Sequence, residues 1–170
     1  MEESMDRVLD IQELCITIIN TLVVYLSIGF GNPYGDRYNQ DILLEWSGKM
    51  VENEIEIISL ADTVGVATPE QITFALETLI PKYPHTSFGV HLHSSPPNFE
   101  PKLAAAVNSG VKRIDGALKG IGGCPMAQDE LVGNMNTEKI IAWLSEKKMI
   151  QGYNNDALEK SLFLASQIFS

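Results

Sequence analysis

The stretch IEIISLADTVGVATPEQ, residues 55–71, decides the fold that we predict for this chain. Residues 55–60 form a short run rich in β-branched side chains, which is typical of a buried strand. Asp62-Thr63-Val64-Gly65 closes that strand with a turn. Thr68-Pro69-Glu70-Gln71 then begins a helix, with threonine as N-cap, proline at the first helical position and glutamine at the capping-box position. A strand followed so closely by a capped helix is the building unit of a parallel α/β sheet.

The same alternation of short strands and helices continues on both sides of this stretch. Sequence patterns predict helices at about residues 3–18, 42–50, 69–81, 99–108, 137–144 and 155–169, and strands at 22–26, 55–60, 87–93 and 111–117, with 131–135 as a candidate fifth strand. Successive parallel strands are joined by right-handed crossovers. The order therefore predicts a parallel sheet, in either a doubly wound fold or a (β/α)-barrel.

Length and composition predict one ordinary globular domain. The 170 residues are 45% hydrophobic and 20% charged. The 12 basic and 22 acidic side chains give a net charge of −10, which argues against binding to nucleic acid or to an anionic membrane. Polar residues interrupt the apolar stretch Cys15–Phe30, so it is neither a signal peptide nor a membrane span. Cys15 and Cys124 lie too far apart for a disulfide framework, which fits a reducing cytosol.

Polar or glycine-rich residues follow every predicted strand. In both candidate folds, ligands bind at the carboxyl ends of the strands. The residues at those ends are the loop Gly29–Gly35, the pair Asp62-Thr63, the pair His91 and His93, and a glycine-rich loop that contains Cys124. Asp62 is either a cap for the turn that follows its strand or a carboxylate of the site.

His91 and His93 lie two positions apart on a predicted strand, so both side chains are on the same face. Two imidazoles in this arrangement suit neighbouring positions around a divalent cation such as Mg²⁺, Mn²⁺ or zinc. The alternative is a pair of polar side chains with ordinary hydrogen-bond partners. Asn134 carries an amide oxygen that suits the same cation, although asparagine is also a common turn residue.

The glycine loop GIGGCPMA, residues 120–127, directly follows the last long predicted strand. Its glycines allow positive φ and a close approach of the backbone to a ligand, and they place the thiol of Cys124 at the tip of the loop. The alternative is a plain turn in which the cysteine is a small buried hydrophobic residue.

Four of these segments resemble, in order and spacing, the second half of the 3-hydroxy-3-methylglutaryl-CoA lyases. They are ISLADTVG at 58–65, HLH at 91–93, GGCPMA at 122–127 and GN at 133–134. The lyases belong to a metallolyase superfamily of TIM barrels, and the related isopropylmalate synthases share the histidine pair without the thiol. The resemblance covers about residues 20–150. It implies that residues 1–170 form one partial parallel (β/α) TIM-barrel domain, with the C-terminal strands and helices only.

The resemblance also implies roles for residues of this chain. His91, His93 and Asn134 match the family's metal ligands for Mg²⁺ or Mn²⁺, and Cys124 matches its catalytic thiol. The positions implied to lie against the substrate are Asp62, Thr63, Gly122 and Gly123.

The implied reaction is a retro-Claisen cleavage of 3-hydroxy-3-methylglutaryl-CoA to acetoacetate and acetyl-CoA. A divalent cation eases deprotonation of the substrate hydroxyl, and a positioned thiol can protonate the acetyl-CoA enolate. The resemblance further implies an enzyme of leucine catabolism that takes an acyl-CoA substrate and forms a homo-oligomer, a dimer. From the cysteine usage we expect a cytoplasmic protein, and from the acidic net charge we expect neither a nucleic-acid nor a membrane partner.

Two departures from the family pattern limit what we expect of this chain. Ser94–Pro97 follow the histidine pair where the relatives continue with Asp-Thr. No segment matches the family's first barrel strand, which carries a metal aspartate and an arginine. We therefore expect the chain to correspond to the C-terminal part of a lyase and to have little or no activity alone. The alternatives are a condensing or aldolase-type member of the superfamily and a non-catalytic, self-associating half-barrel.

Overall fold

The computed structural model describes residues 2–27, 29–32, 34–123 and 132–169. Helices and strands alternate along it as predicted. The elements are α1 (Glu2–Thr17), β1 (Val24–Leu26), α2 (Gln40–Glu52), β2 (Ile57–Asp62), α3 (Pro69–Lys82), β3 (Ser87–Ser94), α4 (Phe99–Asn108), β4 (Arg113–Asp115), β5 (Gly133–Asn134), α5 (Thr137–Glu146) and α6 (Asn155–Ile168). Short 3₁₀ turns occupy Pro96–Asn98 and Leu118–Gly120.

The central sheet consists of parallel strands in the order β1-β2-β3-β4. This confirms the predicted parallel α/β sheet. β5 departs from that pattern, because it pairs with the end of β3 in the antiparallel direction. The expected fifth strand therefore exists, but it crosses the carboxyl end of the sheet instead of extending it.

The two faces of the sheet differ in chemistry. Residues paired across parallel strands share a face, and the pair Leu60 and Val90 lies on the face that packs in the apolar core. Both side chains are completely buried. The opposite face carries polar side chains, among them Ser59, His91 and Asp115. The alternation along the histidine strand predicts this division, with the apolar residues against helices and the histidines on the other side.

The start of α3 shows the predicted local structure. The side chain of Thr68 accepts a hydrogen bond from the backbone N–H of Gln71, and the side chain of Gln71 accepts one from the backbone N–H of Thr68. The helix ends one residue after Pro81, at Lys82.

β4 is shorter than the predicted strand 111–117. The chain leaves the sheet after Asp115 because Ala117 instead bonds beside β5: its N–H donates to the carbonyl of Met135 at 3.0 Å, and its carbonyl accepts from Thr137 at 2.9 Å. These bonds bring the beginning of the glycine loop and of α5 to the carboxyl end of β3. Among the described residues, no helix combines the length and the apolar character that a membrane crossing requires.

Candidate metal and substrate site at the strand ends

The structure brings together the three predicted metal ligands. The antiparallel pairing of β5 with β3 places Asn134 opposite His93. The rings of His91 and His93 lie on the same face, with 5.2 Å between their centroids and an interplanar angle of 68°. Within the described ranges, no cluster of three or more His, Cys, Asp or Glu side chains is suited to a metal. The candidate site therefore consists of two imidazoles and one amide.

The amide of Asn134 is held in a defined orientation by the glycine loop. Its Nδ2 donates to the carbonyl of Ile121 at 2.9 Å, and its backbone N–H donates to the carbonyl of Gly122 at 3.3 Å. With Nδ2 committed to the loop, Oδ1 is buried, and the described residues offer it no hydrogen-bond partner. Nδ1 of His93 is also buried and without a partner among them.

Unpaired buried polar atoms are uncommon, because each loses its hydration without compensation. Here two such atoms belong to residues that face each other across one strand pair, His93 and Asn134. An imidazole nitrogen and an amide oxygen are both ordinary ligands of divalent cations. These two residues therefore fit a divalent cation, with the His91 ring adjacent.

The surroundings of His93 favour its neutral form. Burial lowers the pKa of His93 below its ordinary value, and the neighbouring His91 lowers the pKa further, while the Asp62 carboxylate, the Asn134 side chain and the Thr63 backbone oppose both effects. A histidine must be neutral to bind a metal. The lowered pKa therefore favours the neutral imidazole, which is the form that can bind a metal.

Asp62 is fully engaged by groups of the protein itself. Its Oδ1 accepts from the backbone N–H of Ala67 at 3.0 Å, and its Oδ2 accepts from Nζ of Lys102 at 2.7 Å. Asp62 and Lys102 are both almost completely buried. Of the two interpretations of Asp62, these contacts favour the cap, because they hold the turn between β2 and α3.

Lys102 was not predicted as a site residue, although the sequence contains a signal for it. Phe99, Leu103 and Ala106 recur at helical spacing on the inner face of α4, and Lys102 falls on the same face. A charged residue on the apolar face of a helix requires a buried partner. Its partner, Asp62, lies 40 residues earlier in the chain, so no local spacing reveals it.

Thr63 lies at the carboxyl end of β2, in the turn that Asp62 holds. Its hydroxyl donates to the backbone carbonyl of Ser27, which follows β1. This bond ties together the ends of two neighbouring strands. Thr63 thus lies in the region predicted for the substrate, and its hydroxyl is bonded within the protein.

The glycine loop approaches Asn134 very closely at its beginning. A Cβ atom at Gly120 would lie 2.8 Å from the Asn134 carbonyl oxygen, and one at Gly122 would lie 3.2 Å from its Nδ2. Both glycines have positive φ, +67° and +83°. Gly123 is exposed next to them. Cys124, the predicted catalytic thiol, lies outside the described residues.

A hydrogen-bonded polar cluster adjoins the histidine pair on the same face of the sheet, and no sequence pattern predicted it. Tyr25 and Ser59 each donate to Oδ2 of Asp115 at 3.0 Å, and Nε of Arg113 lies 3.5 Å from its Oδ1. Partial burial and the bond to Asp115 raise the pKa of Tyr25, so its hydroxyl keeps the proton that it donates. The Tyr25 ring also contacts the His91 ring edge-on, at 5.8 Å between centroids.

Comparison with known proteins gives consistent matches. The model of the HMGL-like family matches residues 1–162. A hydroxymethylglutaryl-CoA lyase of Bacillus subtilis is 32% identical over 148 residues, which are 87% of this chain and 48% of that protein. The cytoplasmic 3-hydroxy-3-methylglutaryl-CoA lyase of Mus musculus is 30% identical over 145 residues, 85% of this chain and 42% of that protein. The chain thus spans about half the length of these relatives.

Solved structures show the same relationship in three dimensions. The HMG-CoA lyase of Bacillus subtilis has a TM-score of 0.89 at 26% identity, covering 100% of this chain and 57% of that one. The HMG-CoA lyase of Acinetobacter baumannii, solved with coenzyme A and 3-methylmalate, has a TM-score of 0.81 at 24% identity, covering 98% and 54%. These neighbours are TIM barrels, so the sheet corresponds to part of a (β/α)-barrel and the doubly wound alternative is excluded.

Proposed function

This chain belongs to the HMGL-like family of lyases, and from that membership we propose that it carries the metal-binding strands of a carbon–carbon lyase. The proposed reaction is the cleavage of 3-hydroxy-3-methylglutaryl-CoA to acetoacetate and acetyl-CoA. Relatives at about 30% identity are named for this substrate. The Acinetobacter baumannii lyase was solved with coenzyme A, which supports an acyl-CoA as the substrate class.

The observation that carries this proposal is the pair of unpartnered buried atoms, Nδ1 of His93 and Oδ1 of Asn134, on residues that are paired across β3 and β5. We assign His91, His93 and Asn134 as the residues that would hold Mg²⁺ or Mn²⁺. When bound, such a cation polarises substrate oxygen atoms and eases deprotonation of a hydroxyl group. The glycine loop contributes by fixing which atom of the Asn134 amide is available.

On the substrate side, we assign Thr63, Gly122 and Gly123 as residues that line the acyl group. The support is their position: Thr63 directly follows β2, and the two glycines lie in the glycine loop, where the carbonyl of Gly122 accepts from the backbone N–H of Asn134. Glycines without side chains permit close approach of a substrate to the backbone. For Asp62, the contacts with Ala67 and Lys102 support a role through the turn that carries Thr63.

Cys124 is assigned as the acid of the reaction. Cleavage leaves the acetyl-CoA product as an enolate, and the Cys124 thiol would transfer its proton to the enolate carbon. Cys124 directly follows Gly123, and the preceding residues are bonded to the side chain and backbone of Asn134. This connection along the sequence is the support for assigning the thiol to the site.

We also propose a cytoplasmic, self-associating protein. Named relatives include cytoplasmic and mitochondrial lyases, so family membership alone does not decide the compartment. Support for association comes from α6 and the residue after it, where Phe163, Leu164, Ile168 and Phe169 are exposed. Sedimentation equilibrium of the purified chain tests this, and a monomer at all concentrations contradicts it.

The decisive experiment measures binding of Mn²⁺ to the purified 170-residue chain by electron paramagnetic resonance. We expect saturable binding that is lost in His93→Ala and retained in His85→Ala, because His85 lies on the exposed turn before β3. Absence of binding, or equal binding by the two variants, contradicts the proposed site. A coupled assay for acetoacetate then tests the reaction. Turnover near that of a complete lyase would contradict the expectation of weak activity.

A further inference from the structure

Lys102 is a buried cation with all of its hydrogen-bonding capacity in use. Only 2% of its surface is exposed. An ammonium group has three N–H donors, and Nζ of Lys102 makes three bonds: to Oδ2 of Asp62 at 2.7 Å, to the carbonyl of Gly65 at 2.9 Å and to the carbonyl of His93 at 2.9 Å. Each donor therefore has a separate partner.

These three partners belong to two segments of the candidate site, and the site depends on how these segments lie relative to each other. Asp62 and Gly65 bracket the turn that carries Thr63, and His93 lies near the end of β3, opposite Asn134. Lys102 itself lies on α4. One side chain thus links a helix to the turn after β2 and to the backbone of a predicted metal ligand.

Stability alone does not explain a lysine at this position. The desolvation free energy of two buried charges offsets much of their electrostatic attraction, and apolar side chains of similar size often give equal stability. An apolar side chain cannot, however, hold two backbone carbonyls in place. The distinctive effect of Lys102 is therefore on the geometry of Gly65 and His93.

We propose that Lys102 is a positioning residue of the metal site. It fixes the backbone of His93, so that the His93 ring is presented beside the Asn134 amide, and it holds the Thr63 turn at a constant distance from that ring. This inference rests on the proposed function, because it requires that His93 binds a cation. It adds a residue of α4 to a site otherwise formed by strand ends and the glycine loop.

The test compares Lys102→Met with Leu103→Ala. Leu103 is the next residue of α4, completely buried in the apolar core, so its truncation destabilises the same helix without touching the three bonds of Lys102. Mn²⁺ affinity is measured by electron paramagnetic resonance, and unfolding is followed by circular dichroism in urea. We expect both variants to be less stable, but only Lys102→Met to bind Mn²⁺ more weakly, by about 10- to 100-fold.

Two outcomes overturn the inference. If Lys102→Met binds Mn²⁺ within about twofold of the unaltered chain, where the expected loss is at least tenfold, Lys102 has only a structural role. If the unaltered chain binds no Mn²⁺, the proposed function fails, and the inference fails with it. Loss of binding in His93→Ala but not in Lys102→Met leaves the proposed function intact and rejects the inference alone.

If Lys102→Met does not fold, the inference can still be tested with a second variant and with a measurement on the unaltered chain. Asp62→Asn/Lys102→Met removes the isolated buried charge, and the same affinity criterion applies to it. Nuclear magnetic resonance of the lysine ζ-nitrogens during Mg²⁺ titration requires no substitution. The Lys102 resonance should shift on Mg²⁺ binding while that of Lys82, at the exposed end of α3, stays constant. An unmoved Lys102 resonance at saturating Mg²⁺ also overturns the inference.

Discussion

Substitution of Gly122 by alanine should weaken metal binding through Asn134. The new Cβ would lie 3.2 Å from Nδ2 of Asn134, which is closer than an ordinary van der Waals contact. The amide must therefore move by a few tenths of an ångström, and its bond to the Ile121 carbonyl, now 2.9 Å, must lengthen or bend. Since that bond orients Oδ1, we expect Mn²⁺ affinity to fall about tenfold, as for other residues that support metal ligands.

A matched control separates this effect from backbone strain. Gly122 has a φ of +83°, and Gly152 has a φ of +80° in open space, where an added Cβ would meet nothing within 4 Å. Alanine at either position should cost about 1 kcal/mol of unfolding free energy, because an L-residue is disfavoured at positive φ. Only Gly122→Ala should also weaken Mn²⁺ binding. Equal Mn²⁺ affinities for Gly122→Ala and Gly152→Ala, measured by electron paramagnetic resonance, would refute the reasoning.

Three other predictions follow from the site. Because the pKa of His93 is lowered by folding, the unfolded chain binds more protons than the folded chain below about pH 6.5. The unfolding free energy should therefore be fully retained above that pH and should decline below it. His93→Gln should flatten this decline when unfolding free energies are measured by urea titration at each pH. Lys102→Met should lower the unfolding free energy by about 3–5 kcal/mol, because it leaves the buried Asp62 carboxylate without its charged partner. The double variant Asp62→Asn/Lys102→Met should lose less unfolding free energy. Equal losses in the two variants would argue against an isolated buried charge as the cause. In a complete lyase that contains this segment, Cys124→Ser should lower acetoacetate production by about 100-fold or more without changing Mn²⁺ affinity. An equal effect of Cys15→Ser would contradict an acid role for Cys124.

The fold was largely predictable because its signals are local. The capping box of α3 lies within four consecutive residues, and the strand–helix alternation follows from apolar periodicity. The direction of β5 was not predictable, since two residues carry no periodicity and their pairing depends on β3, about 40 residues earlier. β4 was predicted too long for a related reason: Ala117 bonds beside β5 instead of extending the sheet.

The candidate site was predictable only where residue type and spacing coincide. His91 and His93 share a face by the strand period, and the structure brings Asn134 to them. The supporting contacts were not predictable from the chain, because each joins distant positions: Lys102 with Asp62, and Ser59 with Asp115. Such pairs are specified by tertiary packing and leave no pattern in the local sequence.

Because the strands differ in length, we expect their backbone hydrogen bonds to open at different rates. β2 and β3 have six and eight residues and lie inside the sheet, whereas β1 and β4 have three residues each and lie at the ends of the strand order. Amide hydrogens in β2 and β3 should therefore exchange with deuterated solvent most slowly. His93 lies at the end of β3, next to the turn that follows β2 and to the glycine loop. Ligand binding at His93 should therefore slow amide exchange in that turn and that loop.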